Sequence, residues 1–126
     1  MKNKKIIYSA VMLSEETKKR LLEEYKPSHN NIYCHHSTIE FRPTHVSHLP
    51  LGDVCALHIT GLLRTDKIDV LLVDNPLSLN KYPHITLSTA DGIKPFDSNS
   101  EIQNNQSLIV PLNDTAFGTI NLHYED

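Results

Sequence analysis

The sequence predicts an α+β fold that is built mainly from antiparallel strands. Short runs of apolar and β-branched residues, separated by clusters of turn residues, occupy most of the 126-residue chain. One segment, residues 14–25, carries a full set of helix signals and precedes a strand, which favours α+β over an all-β barrel. The length suits a single domain over residues 1–126, with enough core to fold without a metal.

The first predicted elements are a strand, a helix and a second strand. Residues 6–13 are an apolar run that predicts the first strand. The helix begins after Ser14, a favourable N-cap followed by two glutamates at the positive end of the helix dipole, and it ends before Pro27. After a polar loop, residues 32–41 predict the second strand.

The second half of the chain is predicted to form strands and one short helix or ordered loop. Residues 54–63 and 68–73 are β-rich runs joined by a turn signal, which predicts a hairpin. The remaining predicted segments are a strand at residues 82–89, a short helix or ordered loop at residues 97–105, and strands at residues 108–112 and 119–124.

The composition excludes several kinds of partner. The net charge is −3 and the 12 basic residues are scattered, which is unlike a protein that follows long nucleic acid. No apolar run is long enough to span a membrane, and the basic start followed by an apolar stretch lacks a small-residue cleavage site. We therefore expect a cytoplasmic protein whose partner is a small nucleotide or an RNA terminus, with its oligomeric state left open.

A Cys/His-rich region raises the alternative of a zinc site, because zinc prefers these ligands. The region contains no Cys-X2-Cys and no His-X3-His pair, and adjacent histidines on a strand point to opposite faces. We predict reduced thiols, no bound metal and no cofactor. The residues concerned are Cys34, His35, His36, His45, His48, Cys55 and His58.

Two copies of one short pattern are the main functional signal. His36-Ser37-Thr38 and His84-Ile85-Thr86 each lie inside a predicted strand. Residues i and i+2 of a strand share a face, so each copy places an imidazole beside a hydroxyl. An imidazole exchanges protons near neutral pH, and a hydroxyl can donate a hydrogen bond to a phosphoryl oxygen. The pair predicts acid–base chemistry on a phosphodiester.

These motifs resemble the signature of the two-histidine (2H) phosphoesterase superfamily, with two His-X-Thr/Ser motifs. The flanking segments are similar to the compact branch of RNA-repair and tRNA-ligase-type cyclic phosphodiesterases. The resemblance implies pseudo-symmetric two-lobed antiparallel sheets with flanking helices and a central groove. The motifs lie closer together than in many relatives, which predicts a trimmed intervening region. The matching flanking segments are Phe41-Arg42-Pro43, Leu49-Pro50-Leu51-Gly52, Thr60-Gly61, Gly92-Ile93-Lys94-Pro95 and Ser98-Asn99.

The resemblance implies a metal-independent phosphodiesterase in which His36 and His84 supply base and acid while Thr38 and Thr86 bind the phosphoryl oxygens. The substrate would be a 2′,3′-cyclic phosphate on a nucleotide or RNA end, or a small cyclic or 2′,5′-linked oligonucleotide. The alternative is a non-catalytic module that binds or sequesters a nucleotide on the same fold. Two intact motifs favour the enzyme, because a binder does not need both proton-transfer groups.

Four further residues are candidates for substrate binding. Lys94, Ser98 and Asn99 follow the second motif, where a cation and short polar groups can meet a phosphate or a base edge; a solvated loop is the alternative. Tyr8 can stack on a base, with a core tyrosine as its alternative.

Overall fold

The protein is a curled antiparallel sheet with two helices, seen in a computed structural model that describes residues 4–125. The predicted α+β class is confirmed, and neither described helix is long and apolar enough to cross a membrane. The first three residues of the basic start and the terminal Asp126 lie outside the described residues. The elements are β1 Ile6–Leu13, α1 Glu15–Glu24, β2 Asn31–Ile32, β3 His36–Phe41, β4 Val54–Arg64, β5 Ile68–Asp74, β6 His84–Thr89, α2 Ser98–Asn104 and β7 Val110–Tyr124.

Three predicted strands had the wrong boundaries. The single strand predicted at residues 32–41 is two strands, because Cys34 has a φ of 62° in the left-handed region and turns the chain from β2 into β3. The two strands predicted at residues 108–112 and 119–124 are one strand, β7. Pairing of β7 with neighbours along its whole length keeps the intervening polar residues extended.

The strand order forces the sheet to curl. The order is β2-β6-β5-β4-β7-β1-β3, so the two edge strands are also consecutive in the chain. Six strand spacings would separate the edges of a flat sheet by about 29 Å, whereas the three connecting residues 33–35 extend to at most about 11 Å. The curled sheet closes this gap: the Tyr33 and Cys34 amides donate to the Leu87 and Thr86 carbonyls. Both motif strands, β3 and β6, therefore lie side by side.

The two separate sheets that the resemblance implies are replaced by one continuous sheet in the described part of the chain. The reason is the length of β7. Its residues 110–119 pair with β4 and its residues 118–124 pair with β1, so it belongs to both halves of the fold.

Two apolar cores cover opposite faces of the sheet. The main core lies between the sheet and α1 and contains Ile39 of β3 and Ile85 of β6. A smaller core lies beneath α2 and is built around Val70 and Ile102. Alternation along each strand places the side chains of both His-X-Thr motifs on the face away from the main core.

A buried carboxylate connects three segments of the fold. Asp69 of β5 has no exposed surface and accepts hydrogen bonds from the Ser28 amide, the Ser28 hydroxyl and the Ser88 hydroxyl of β6. The Arg64 guanidinium lies 3.2 Å from the same carboxylate. Since buried charges require partners, this network fixes β6 and the loop that follows α1.

Helix α1 begins as predicted. The Ser14 hydroxyl accepts a hydrogen bond from the Thr17 amide at 3.1 Å, which caps the helix. Leu21 is buried in the main core, and Arg20 forms a two-pronged contact with Asp114 of β7. The helix thus covers the main-core face and leaves the motif face to α2.

Candidate active site

The curled sheet brings the two motif strands together, and the charge of His84 acts on His36. His36 begins β3 and His84 begins β6, and both side chains are partly buried. Burial is the main cause that lowers the pKa of His36 from 6.5 to about 4, and positive charge on His35, His84 and His123 lowers it further. His36 is therefore held as a neutral imidazole at neutral pH.

A backbone carbonyl orients His84. Its Nδ1 lies 2.7 Å from the Tyr82 carbonyl oxygen, and a carbonyl can only accept, so Nδ1 carries a proton. Burial lowers the pKa of His84, while this hydrogen bond raises it and so opposes the effect of burial. The bond leaves Nε2 as the nitrogen that can exchange a proton with a bound group.

Tyr8 forms a row of stacked rings with two histidines. Its ring centroid lies 4.3 Å from that of His36 on β3 and 4.8 Å from that of His123 on β7. The Tyr8 hydroxyl is 3.4 Å from His36 Nδ1. The ring predicted to stack on a base is thus engaged with His36, and the structure adds His123, which no sequence motif marked.

The two motif threonines have different surroundings. Thr86 is 9% exposed, and its hydroxyl lies 2.9 Å from the hydroxyl of Ser98 at the start of α2. Thr38 is half-buried, and its backbone carbonyl accepts a hydrogen bond from the Ser78 hydroxyl at 2.8 Å. The Thr86 hydroxyl can accept from Ser98 and still donate its own proton to an anion.

The connection between β5 and β6 is bound to the first motif strand. The Asn75 amide donates to the Ser37 hydroxyl at 3.2 Å, and both side chains are buried. Next along the connection, the Leu79 amide donates to the Ile39 carbonyl at 2.8 Å. These contacts fix β3 against the segment that leads into His84. Sequence reasoning missed them because they join residues about forty positions apart.

The three substrate-binding candidates that follow the second motif differ in their burial and contacts. Ser98 contacts Thr86, and Asn99 has a buried Oδ1 without a hydrogen-bond partner in the described structure. The Lys94 side chain is exposed at the start of the turn Pro95–Asp97.

The Cys/His-rich region is dispersed by the fold. Cys34 is buried in the main core, and Cys55 lies partly exposed on β4. His58 is bound to Asn113 at 2.7 Å. Among residues 4–125, no three His, Cys, Asp or Glu side chains come together as a metal site would require.

The buried His36 is expected to make folding stability depend on pH. Its pKa is about 4 in the folded protein against 6.5 ordinarily, so the unfolded chain binds the proton more tightly. This contribution is complete above pH 6.5 and is lost as the pH falls toward 4. Between pH 7 and 4.5, wild type should lose ~2 kcal/mol more unfolding free energy than His36→Gln in urea titrations. Equal losses in the two proteins would contradict the prediction.

Comparison with known proteins identifies a shared fold. The sequence matches no protein-family model, and no curated protein is significantly similar to it. Forty-one chains of solved structures match the fold. One belongs to a crystal structure of a fungal RNA kinase, with a TM-score of 0.62 and 15% identity, over 99% of this chain and 47% of that chain.

This match defines the class of the protein at the level of architecture. The chain has the fold of a segment of that RNA kinase structure and spans about half of its length. At this identity the likeness concerns the fold alone. The single-domain organisation, the cytoplasmic location and the roles of the site residues stay predictions.

Proposed function

We propose that the protein is a metal-independent phosphodiesterase of the two-histidine type. The observation that carries the proposal is the pair of His-X-Thr motifs on one face of a curled sheet, on strands β3 and β6 that contact each other. The strand order makes β3 and β6 neighbours, but it does not require that each carries an imidazole and a hydroxyl on the shared face. The fold likeness to an RNA kinase segment supports an RNA end or a nucleotide as the partner.

The surroundings of the two imidazoles support different roles. Within residues 4–125, His36 has no carbonyl partner of the kind that holds His84, and nearby imidazoles oppose its protonation, so it suits the base. His84 donates from Nδ1 to the Tyr82 carbonyl, which stabilises the imidazolium, so it suits the acid. A bound phosphodiester anion would raise the pKa of both imidazoles toward the working pH.

Hydrolysis then balances with water as the co-reactant. His36 takes a proton from water as its oxygen forms a bond to phosphorus. The bond from phosphorus to the leaving oxygen breaks, and His84 Nε2 gives that oxygen a proton. Thr38 and Thr86 donate hydrogen bonds to the non-bridging oxygens as charge accumulates there. Proton exchange with solvent then restores both histidines.

The substrate class is a 2′,3′-cyclic phosphate on a nucleotide or RNA end, or a small cyclic or 2′,5′-linked oligonucleotide. No cofactor is needed, because every proposed contact comes from a protein side chain. The scattered charge supports a small substrate over a long nucleic acid.

A substrate screen with EDTA present tests the proposal. The purified protein is incubated with 2′,3′-cyclic nucleotides, 2′,5′-oligoadenylates and cyclic dinucleotides, and products are separated by chromatography. We expect turnover of at least one class, unchanged by EDTA. Loss of turnover in EDTA that zinc or manganese restores would refute metal independence. Binding of the same compounds without any turnover would favour the non-catalytic module.

A further inference from the structure

An open surface cavity of about 320 Å³ is lined by residues that precede and follow the second motif in the sequence. Its size falls at the lower end of small-molecule sites. The lining residues include two aromatic residues, Tyr82 and Phe96, two amide residues, Asn99 and Gln103, and two charged residues of opposite sign, Lys81 and Asp97. Planar apolar surface and amide groups occur together where proteins hold a flat heterocycle with polar edges.

Phe96 is the least expected member of this cavity. The side chain is 81% exposed, although it belongs to the turn Pro95–Asp97 directly before α2. The Phe96 ring does not pack into either apolar core. An exposed aromatic ring at the mouth of a cavity can stack on a base without any refolding of the protein.

The cavity is joined to both members of the second motif. Tyr82, on one wall, supplies the carbonyl that holds His84. Asn99, on another wall, follows Ser98, whose hydroxyl contacts Thr86. The lining of the cavity is thus one hydrogen bond from His84, and one residue and one hydrogen bond from Thr86.

We infer that this cavity binds the nucleobase of the substrate, with Phe96 as the stacking surface and the amides of Asn99 and Gln103 facing the base edge. The inference rests on the proposed function for the position of the phosphate, and it names the part of the substrate that lies beside it. Asn99 Oδ1, which is buried without a partner within residues 4–125, supports this assignment, because small side-chain movements can offer the amide to a base.

The test measures binding of 2′-AMP, 2′-CMP and ribose 5-phosphate by calorimetry, so it does not depend on turnover. Wild type should bind at least one nucleotide on the order of tenfold more tightly than ribose phosphate. Phe96→Ala should lose this difference while its affinity for ribose phosphate stays the same. Phe117→Ala is the matched control, because Phe117 is 51% exposed on β7 and does not line the cavity.

The outcomes separate this inference from the proposed function. Equal binding of nucleotides and ribose phosphate by wild type, or an unchanged preference in Phe96→Ala, would overturn the base site even if the protein turns over a phosphodiester. Base-dependent binding that Phe96→Ala removes would support the site even if no turnover is found. The exposed position of Phe96 keeps the folded state of the variant intact, which urea unfolding verifies.

Discussion

Replacing His84 with alanine is expected to lower phosphodiester turnover by roughly 10²- to 10⁴-fold, the usual contribution of a general acid. The loss should depend on the leaving group, because His84 is proposed to protonate the departing oxygen from Nε2. In a nucleotide 4-nitrophenyl ester the leaving group is 4-nitrophenolate, which departs without a proton. Hydrolysis of this ester should therefore be far less affected by His84→Ala. Initial rates with both kinds of substrate check the prediction.

His36→Ala is expected to lose turnover on both substrates, because water still needs a base when the leaving group is activated. His58→Ala, also on a strand but half-exposed and bound to Asn113, is the matched control and should keep wild-type rates. If His36→Ala instead hydrolyses the 4-nitrophenyl ester at the wild-type rate, His36 would be the acid and His84 the base. Full activity of both single variants would make the motif pair incidental.

Asp69→Ala is expected to cause the largest loss of stability, about 3 to 5 kcal/mol in the free energy of unfolding. The substitution leaves Arg64 and the hydroxyls of Ser28 and Ser88 without their shared acceptor. Asp69→Asn retains an oxygen acceptor of the same shape and should lose less. Urea unfolding at pH 7 measures both values.

The matched control lies on the same strand. Asp74 ends β5 with its side chain 71% exposed, so Asp74→Ala should change the unfolding free energy by less than about 0.5 kcal/mol. If Asp69→Ala lowers the free energy of unfolding by less than about 1 kcal/mol, water must replace the hydrogen bonds that Asp69 accepts, and the prediction fails. If Asp69→Ala does not fold, the asparagine variant still gives the magnitude.

Local sequence signals predicted most of the elements. The first strand, the helix capped by Ser14 and the hairpin of β4 and β5 follow from apolar pattern, capping chemistry and turn residues, which act over a few positions. The boundaries failed where a distant partner decided them. Cys34 takes a left-handed conformation because the chain must cross from one sheet edge to the other, which no residue near it announces.

The candidate site divides in the same way. Both His-X-Thr motifs were visible in the sequence, because alternation along a strand fixes which residues share a face. The stack of Tyr8 with His123 and the hydrogen bond from Asn75 to Ser37 were not visible. Each joins residues far apart in the chain: the pairing of β1 with β7 places Tyr8 beside His123, and the curled sheet brings Asn75 to Ser37.

The sequence by itself determined the class of fold, the position of the helix and the two pairs of imidazole and hydroxyl. The tertiary structure decided that the two motif strands contact each other, that β7 joins both halves into one sheet and that His36 and His84 have different hydrogen-bond partners. The physical reason is range. Patterning and capping act between near neighbours, whereas burial, ring stacking and electrostatic contact depend on distances that only the closed sheet sets.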